Sequence, residues 1–374
     1  MMKRQSVFFV LFVSLLLALP MLVMAEEIKT LAIGAAAPEF RLPGVDGKTY
    51  TLEDFEAAQV LVLIFTCNHC PTAQAYESRI QSLHNEYKDK GVAVVAISPN
   101  DPLAVRLDEL GYSDMNDSFE EMKIRAKMYK FAFPYLYDGE KQEASKAYGP
   151  VATPHVFVFD QARTLRYCGR IDNNEKPAKV TNHDTRDAIE ALLEGKPVAV
   201  ETTKTFGCSV KWADKRDGVA QADEAWAKEP VTLELASLDE IKTLVSNQTN
   251  KTILINVWAT WCGPCVEEFP ELVIINRMYR KRDFQMISIC VDDVSERGKA
   301  LEFLKKNQAA FTNVMYKEDD KYALMDALDP EAPGSIPYTL LIKPGGEVIY
   351  RKAGVIDPQE LKTVIVNQIG RYYP

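Results

Sequence analysis

Two apolar segments of the chain have the length and continuity of buried β-strands, and each leads to a pair of cysteines. The first segment, Gln59 to Phe65 (QVLVLIF), ends just before Cys67, and the second, Thr252 to Trp258 (TILINVW), leads to Cys262. Continuous apolar runs of this length are typical of strands that are covered on both faces of a sheet. A helical pattern follows each cysteine pair, so the sequence predicts the same strand–cysteines–helix unit twice.

The pattern further along the chain is also repeated. Each unit continues with an apolar strand and a helix, and then with an X-Pro step that opens a strand hairpin and a last helix. The X-Pro steps are Thr153–Pro154 in the first unit and Ile336–Pro337 in the second. Mixed strands and helices in this order predict an α/β fold in which a central mixed sheet is flanked by helices, present twice in tandem.

Composition changes between the two units and suggests where one ends. We predict a first domain over residues 31–196, a linker over residues 197–230 and a second domain over residues 231–374. The predicted linker has no clear apolar periodicity and is rich in Ala, Lys and Asp, which indicates a connection with some local helix.

The N-terminus has the pattern of a secretory signal peptide. Lys3 and Arg4 precede an apolar run from Val7 to Met24, and small residues end it, so we assign residues 1–25 to the signal. The run approaches the length that spans a bilayer, and a retained N-terminal membrane anchor is therefore the alternative; Pro20 favours cleavage. Either outcome predicts an exported protein, located in the periplasm or elsewhere in the cell envelope.

Charge and cysteine content narrow the function classes. The net charge is −9 and the basic residues are scattered, which argues against a nucleic-acid partner. Seven cysteines in an exported chain leave at least one thiol without an intramolecular partner. Four of them form the pairs Cys67/Cys70 and Cys262/Cys265, a spacing typical of redox or metal centres.

The position of each pair predicts its chemistry. A cysteine at the N-terminus of a helix faces free backbone N–H groups and the positive end of the helix dipole, which favours the thiolate. We therefore predict Cys67 and Cys262 as nucleophiles, and Cys70 and Cys265 as the cysteines that resolve a mixed disulfide. The X-Pro steps before the later strands suit a cis-proline loop beside each pair.

The second unit resembles the thioredoxin superfamily through the sequence Trp258-Ala-Thr-Trp-Cys-Gly-Pro-Cys265 and the downstream Ile336–Pro337. The sequence Glu268-Phe-Pro after Cys265 is similar to the TlpA/ResA branch. The resemblance implies a thioredoxin fold, a reducing Gly263–Pro264 dipeptide and substrate docking beside Trp261. Asn256 replaces the buried Asp of cytoplasmic thioredoxins, and Glu268 is our candidate for the carboxylate that handles protons; a solvated helix residue is the alternative.

The first unit resembles peroxiredoxin-like redoxins of the AhpC/TSA type. The matching segments include Phe65-Thr-Cys-Asn-His-Cys-Pro71, Tyr167-Cys-Gly-Arg-Ile-Asp172 and Gly207-Cys-Ser-Val-Lys-Trp212. The Pro and Thr that peroxiredoxins place before the peroxidatic cysteine are Val60 and Ile64 here. In strongly oxidising relatives a His precedes the resolving cysteine, as His69 does, so the resemblance implies that the first centre is the more oxidising of the two.

Three readings of function follow. The favoured one is a thiol–disulfide oxidoreductase that acts on protein thiols, receives electrons from an upstream membrane or periplasmic dithiol donor, and needs no cofactor beyond its redox-active disulfides. The second is a thiol peroxidase whose second domain regenerates the first. In the third, one domain is a redox-inactive interaction module. We predict no metal, although structural disulfides and a metal held by Cys67, His69 and Cys70 are alternatives for the cysteine pairs.

Overall fold

The computed structural model describes residues 28–373, and the predicted signal peptide lies outside them. Over this range the chain forms two α/β domains, each built on a mixed sheet flanked by helices, as the sequence pattern predicts. Within residues 28–373, no helix combines the length and the apolar character that crossing a membrane requires.

The first domain consists of eight strands and four α-helices. Its strands are β1 (Arg41–Pro43), β2 (Thr49–Thr51), β3 (Val60–Phe65), β4 (Val92–Ser98), β5 (Tyr135–Tyr137), β6 (Ala152–Thr153), β7 (His155–Phe159) and β8 (Leu165–Gly169). Its helices are α1 (Pro71–Tyr87), α2 (Phe119–Tyr129), α3 (Glu143–Tyr148) and α4 (Asp184–Leu193). The main sheet has the order β5-β4-β3-β7-β8, in which β3, β4 and β5 are parallel and β7 is antiparallel to both of its neighbours, β3 and β8.

Strand β3 lies in the middle of this sheet and is buried along its whole length. Side chains alternate between the two faces of a strand. Val60, Val62 and Ile64 therefore pack into one apolar cluster, while Leu61 and Leu63 pack into another on the opposite face. Because β3 is buried on both faces, its sequence is a continuous apolar run. The first cysteine pair follows the end of β3, at the edge of the core.

The segment between the domains is not a free connection. It contains β9 (Cys208–Ser209), which pairs with β6, and α5 (Arg216–Ala227), whose Trp226 is buried against the second domain. Residues 208–209, within the predicted linker, therefore pack on the first domain, and the domain boundaries themselves stay predictions. Short 3-10 helices lie at Glu53–Phe55, Lys88–Lys90, Pro102–Ala104, Leu107–Leu110, Pro177–Lys179, Ala213–Lys215 and Val294–Glu296.

The second domain repeats the plan with six strands and five helices. The strands are β10 (Glu234–Ala236), β11 (Thr252–Trp258), β12 (Phe284–Cys290), β13 (Thr312–Tyr316), β14 (Tyr338–Ile342) and β15 (Val348–Ala353). The helices are α6 (Leu238–Val245), α7 (Gly263–Tyr279), α8 (Arg297–Lys306), α9 (Lys321–Leu328) and α10 (Pro358–Ile369). The sheet order is β10-β13-β12-β11-β14-β15; neighbouring strands are parallel from β10 to β11, and β14 is antiparallel to both of its neighbours, β11 and β15.

Helices α3 and α9 and strand β13 are among the elements that the sequence pattern does not predict. Helix α3 has six residues and α9 has eight, which is too short for a helical repeat to stand out. Strand β13 (TNVMY) mixes polar and apolar residues because Asn313 is buried and donates hydrogen bonds to nearby backbone carbonyls.

The two domains share a polar and apolar interface. The buried carboxylate of Asp114 in the first domain accepts two hydrogen bonds from Arg371 in the second, at 2.8 and 2.7 Å. Tyr279 donates its hydroxyl to the Ser113 carbonyl at 2.8 Å, and Leu110 packs into the apolar core of the second domain. The chain after α10 is thereby held against the first domain.

Candidate active sites

The cysteine pair of the second domain lies where β11 passes into α7. Cys262 is the N-cap residue of this helix, and its sulfur accepts the backbone N–H of Cys265 at 3.3 Å. Pro264 occupies the first turn, where its missing N–H costs no hydrogen bond. Cys262 and Cys265 are joined by a disulfide bond. The expected helix N-terminal position of Cys262 is confirmed.

An exposed tryptophan and a groove lie beside this disulfide. The Ile336–Pro337 peptide bond is cis, in agreement with the prediction of a cis-proline loop. The side chain of Trp261 is 67% exposed, whereas Trp258 is buried in the core. Trp261 and Ile336 border a groove of about 220 Å³ whose other walls include Tyr322 and Met325.

Glu268 is a buried carboxylate and not a solvated helix residue. It follows Cys265 by three residues on α7, which puts both on one helix face. One carboxylate oxygen accepts from the Asn256 amide and the other from the Ile356 backbone N–H, both at 2.9 Å. Burial raises the pKa of Glu268 above its usual value, although both hydrogen bonds oppose the shift. The group is therefore suited to hold a proton at a higher pH than a surface carboxylate.

In the first domain the cysteine at the helix N-terminus is not the predicted one. Helix α1 starts at Pro71 and its N-cap residue is Cys70, so the expectation that Cys67 lies at the helix N-terminus is wrong. The reason is that Asp117 accepts the backbone N–H groups of Asn68 and His69, at 2.8 and 3.1 Å. The carboxylate thus holds residues 67–70 as a separate turn, and this domain presents its second cysteine to the helix N-terminus.

The same carboxylate makes an ion pair with His69. The Nδ1 atom of His69 lies 2.5 Å from Asp117, and both side chains are fully buried. Asn100 donates a further hydrogen bond to Asp117 at 2.7 Å. Burial lowers the pKa of His69 and raises that of Asp117. The attraction between the two side chains, together with the hydrogen bonds that Asp117 accepts from Asn100 and the His69 backbone, outweighs burial, so the pKa of His69 is raised and that of Asp117 lowered.

The sulfurs of Cys67 and Cys70 are both enclosed at the loop formed by Thr153 and Pro154, whose peptide bond is cis. Cys67 lies 3.2 Å from the Thr153 hydroxyl, and the Cys70 thiol 3.4 Å from the Thr153 carbonyl. Burial strongly raises the pKa of Cys67. For Cys70, burial is outweighed by hydrogen bonds from other thiols and by the charge of His69, which lower its pKa. Of the two cysteines, the site therefore favours the thiolate form of Cys70 over that of Cys67.

Sequence reasoning missed Asp117 and Asn100 as members of this site. Asp117 is 47 residues beyond Cys70 and lies in no motif with the cysteines; it immediately precedes Ser118, the N-cap residue of α2. The ligand atoms of Cys67, His69 and Asp117 lie within 4.8 Å of one another, a grouping that could hold a metal ion. Two of these atoms are already hydrogen-bonded to each other, so a metal would have to displace that bond.

Two further cysteines lie apart from both pairs. Cys168 is buried beside His155, with 3.2 Å between its sulfur and Nε2. Burial raises the pKa of Cys168 to about 12 and lowers that of His155 to about 4, so both are neutral. Cys290 is buried at the end of β12, and burial raises its pKa well above the usual value. These are the properties of packing residues.

Comparison with known families agrees with the two folds. Residues 33–168 match the AhpC/TSA family and residues 222–365 match the Redoxin family. Together with the two sheets and their cysteine-to-helix junctions, these matches show that the chain belongs to the thioredoxin superfamily, with two redoxin-type domains in tandem.

Among curated relatives, the chain is similar to thiol-disulfide oxidoreductase ResA of Bacillus subtilis (strain 168), with 31% identity over 28% of this chain and 54% of the relative. It is also similar to the thiol:disulfide interchange protein DsbE of Allochromatium vinosum, with 29% identity over 32% of this chain and 60% of the relative. This chain therefore spans little more than half the length of either.

Two crystal structures are similar to about half of the chain. One is an uncharacterized conserved protein from Geobacillus kaustophilus, with 38% identity, a TM-score of 0.44, and coverage of 48% of this chain and 92% of that one. The other is a hypothetical protein from Sinorhizobium meliloti 1021, with 33% identity, a TM-score of 0.44, and coverage of 50% of this chain and 97% of that one.

Proposed function

We propose that this protein is an exported thiol–disulfide oxidoreductase that exchanges electrons with protein thiols through both cysteine pairs. The observation that carries the proposal is the Cys262–Cys265 disulfide at the N-terminus of α7, beside the exposed Trp261. A helix N-terminus favours the thiolate of Cys262 after reduction, and the adjacent groove accepts an apolar segment of a substrate protein. The names of the ResA and DsbE relatives support the same chemistry.

In the reducing direction the Cys262 thiolate attacks one sulfur of a substrate disulfide, and the other substrate sulfur leaves as a thiolate. The Cys265 thiol then loses its proton and attacks Cys262, which re-forms the Cys262–Cys265 disulfide and releases the substrate as a dithiol. Cys265 is buried, so its proton needs a nearby acceptor. We assign this role to Glu268, one turn further along α7, because its buried carboxylate has a raised pKa.

The AhpC/TSA match of the first domain keeps peroxidase activity as the second candidate. Against it, the positions where peroxiredoxins have Pro and Thr, seven and three residues before the first cysteine, hold Val60 and Ile64. Both are apolar and buried in the core, so neither can polarise a peroxide. Cys67 itself is buried and its raised pKa disfavours the thiolate that attacks peroxide. We therefore favour disulfide exchange for this domain as well.

We further propose that the second domain is the stronger reductant and passes electrons to the first. The Gly263–Pro264 dipeptide of the second site and the His69 charge at the first support this direction. The predicted signal peptide supports export to the periplasm or cell envelope, where a membrane or periplasmic dithiol would supply the electrons. Redox titration of each pair in the full chain tests the order of the two potentials.

Insulin reduction and peroxide consumption, measured side by side on the full chain, test the function. We expect insulin reduction in the wild type and its loss in Cys262→Ser, since the attacking sulfur is removed. Cys290→Ser is the matched control, because Cys290 is a buried cysteine of the same domain that forms no disulfide, and it should retain activity. Peroxide turnover that depends on Cys67, without insulin reduction, would establish the peroxidase instead.

A further inference from the structure

A third cysteine lies against the cysteine pair of the first domain. Strand β9 pairs antiparallel with β6, and in this register Cys208 is opposite Thr153, the residue that precedes the cis-proline. The backbone N–H of Cys208 donates to the Cys70 sulfur at 3.3 Å. The Cys208 side chain packs on the cluster formed by Cys67, Cys70 and Ala73.

The backbone is shaped to allow this approach. Gly207 has a φ of +139°, and a Cβ at this position would lie 2.1 Å from the Thr153 carbonyl oxygen. Only glycine therefore permits β9 to come this close to the Thr153–Pro154 loop. The proximity of Cys208 to Cys70 depends on this close backbone contact.

The three sulfurs differ in their access to solvent. Cys67 and Cys70 are 1% and 0% exposed, so the sulfur of another protein cannot reach either in this conformation. Cys208 is half-buried, and its sulfur lies 3.9 Å from the hydroxyl of Tyr373, on the chain segment that follows α10. Cys208 is thus the member of the trio through which the buried pair can meet an external thiol.

We propose that Cys208 is a third redox thiol, which transfers electrons between an external protein dithiol and the buried Cys67/Cys70 pair through a Cys70–Cys208 disulfide. The proposal rests on the proposed function of the first domain as a disulfide-exchange centre. It assigns to Cys208 a covalent role in place of packing.

The steps balance in atoms and electrons. When Cys67 and Cys70 form a disulfide, the Cys208 thiol gives up its proton and attacks Cys70, which forms the Cys70–Cys208 bond and releases Cys67. The Cys67 sulfur takes up a proton and becomes a thiol; no net electrons are exchanged. A thiolate of an external protein dithiol then attacks Cys208 and releases the Cys70 thiolate. The second thiol of the partner attacks its own sulfur in the mixed disulfide, and its proton passes to the released Cys208 sulfur. The partner thus leaves oxidised, Cys208 becomes a thiol again, and two electrons have passed to the Cys67/Cys70 pair.

The hydrogen bonds around Cys70 support its place at the centre of this exchange. Although burial raises the pKa of Cys70, hydrogen bonds from Cys208 and Cys67 and the charge of His69 lower it overall. A sulfur with a low pKa is a good leaving group, and Cys70 leaves in the step that opens the Cys70–Cys208 bond.

Disulfide mapping of the full chain tests whether the bond forms. Protein is oxidised with diamide, quenched in acid, alkylated and digested with trypsin, which releases Cys70 in residues 49–79 and Cys208 in residues 205–211. In Cys67→Ser, where Cys70 has lost its usual partner, we expect these two peptides to be linked. The double variant Cys67→Ser/Cys208→Ser should lack the link, and Cys168→Ser in the Cys67→Ser background should retain it. Alkylation of Cys70 and Cys208 as free thiols in Cys67→Ser would overturn the proposal.

A rate measurement tests whether the bond is used. In a Cys262→Ser/Cys265→Ser background, reduced thioredoxin is supplied as the protein dithiol and a water-soluble phosphine as the small reductant. Adding Cys208→Ser should slow reduction of the Cys67–Cys70 disulfide by thioredoxin roughly ten-fold or more, while phosphine, which needs no protein docking, reduces it at an unchanged rate. Equal slowing of both reductants, or of neither, would refute the relay. Loss of insulin reduction in Cys262→Ser remains a separate test of the proposed function.

Discussion

The buried carboxylate of Asp117 organises the first site, and Asp117→Asn is the sharpest perturbation of it. One oxygen of Asp117 accepts the backbone N–H groups of Asn68 and His69, and the other accepts from His69 Nδ1 and Asn100. Asparagine has one acceptor oxygen, and its NH₂ group can only donate. The N–H groups that face this NH₂ group would therefore lose their acceptor. We therefore expect the first domain of Asp117→Asn to be less stable than that of the wild type.

The decrease in the unfolding free energy of the first domain in Asp117→Asn is large because the ion pair is buried, and it varies with pH. Removing one partner of a buried ion pair costs about 3–5 kcal/mol. Because the pKa of Asp117 is lowered, its contribution is complete above its unfolded pKa of about 3.9 and is lost as the pH falls further. Because the pKa of His69 is raised, its contribution is complete below its unfolded pKa of about 6.5 and is lost as the pH rises through the folded value. The difference between wild type and variant should be largest between these two values.

The full chain is equilibrated in urea at several pH values and then labelled by a brief pulse of deuterium. Deuterium uptake by peptides from the first domain reports the free energy of unfolding of that domain alone. The control is Asp184→Asn, whose partner Arg170 is partly exposed, and it should lose less than about 1 kcal/mol. The assigned role of Asp117 is refuted if Asp117→Asn loses less than about 1 kcal/mol of unfolding free energy near pH 5.5, or if this loss does not shrink above about pH 6.5.

Three other predictions follow from single contacts. In the wild type, the rate of substrate reduction by the second site should rise with pH as Glu268 loses its proton, and in Glu268→Gln the rate should be lower and this rise absent. A pH–rate profile from about pH 4 to about pH 9 measures this, and an unchanged profile would show that Glu268 takes no part in proton transfer. Arg371→Ala removes the charged hydrogen bonds to Asp114 and should weaken the contact between the C-terminal segment and the first domain by about 1.5–3 kcal/mol. Because Tyr373 on this segment lies beside Cys208, alkylation of Cys208 should become faster; an unchanged rate would show that the segment does not shield Cys208. Cys168, with a pKa raised to about 12, should resist alkylation at about pH 8 until urea unfolds the first domain, and labelling of the native chain would contradict its assignment as a packing residue.

Much of the architecture was predictable because the apolar pattern is strong where strands are buried on both faces. Strands β3 and β11 are such strands, and the residues after β11 identify Cys262 as the start of a helix. The repeat of this pattern, with an X-Pro step later in each unit, was enough to predict two α/β domains with two similar sites.

The differences between the two sites come from contacts between residues far apart in the chain. Asp117 decides where α1 begins, and so moves Cys70 to the helix N-terminus, because a buried carboxylate must satisfy its lone pairs with whatever donors the fold brings near. Cys208 reaches Cys70 through the pairing of two short strands, and Glu268 acquires its proton affinity from burial. Local sequence thus determines that a cysteine pair follows a buried strand, while tertiary packing decides which sulfur holds the charge, because burial and hydrogen-bond partners set the relative stability of thiol and thiolate.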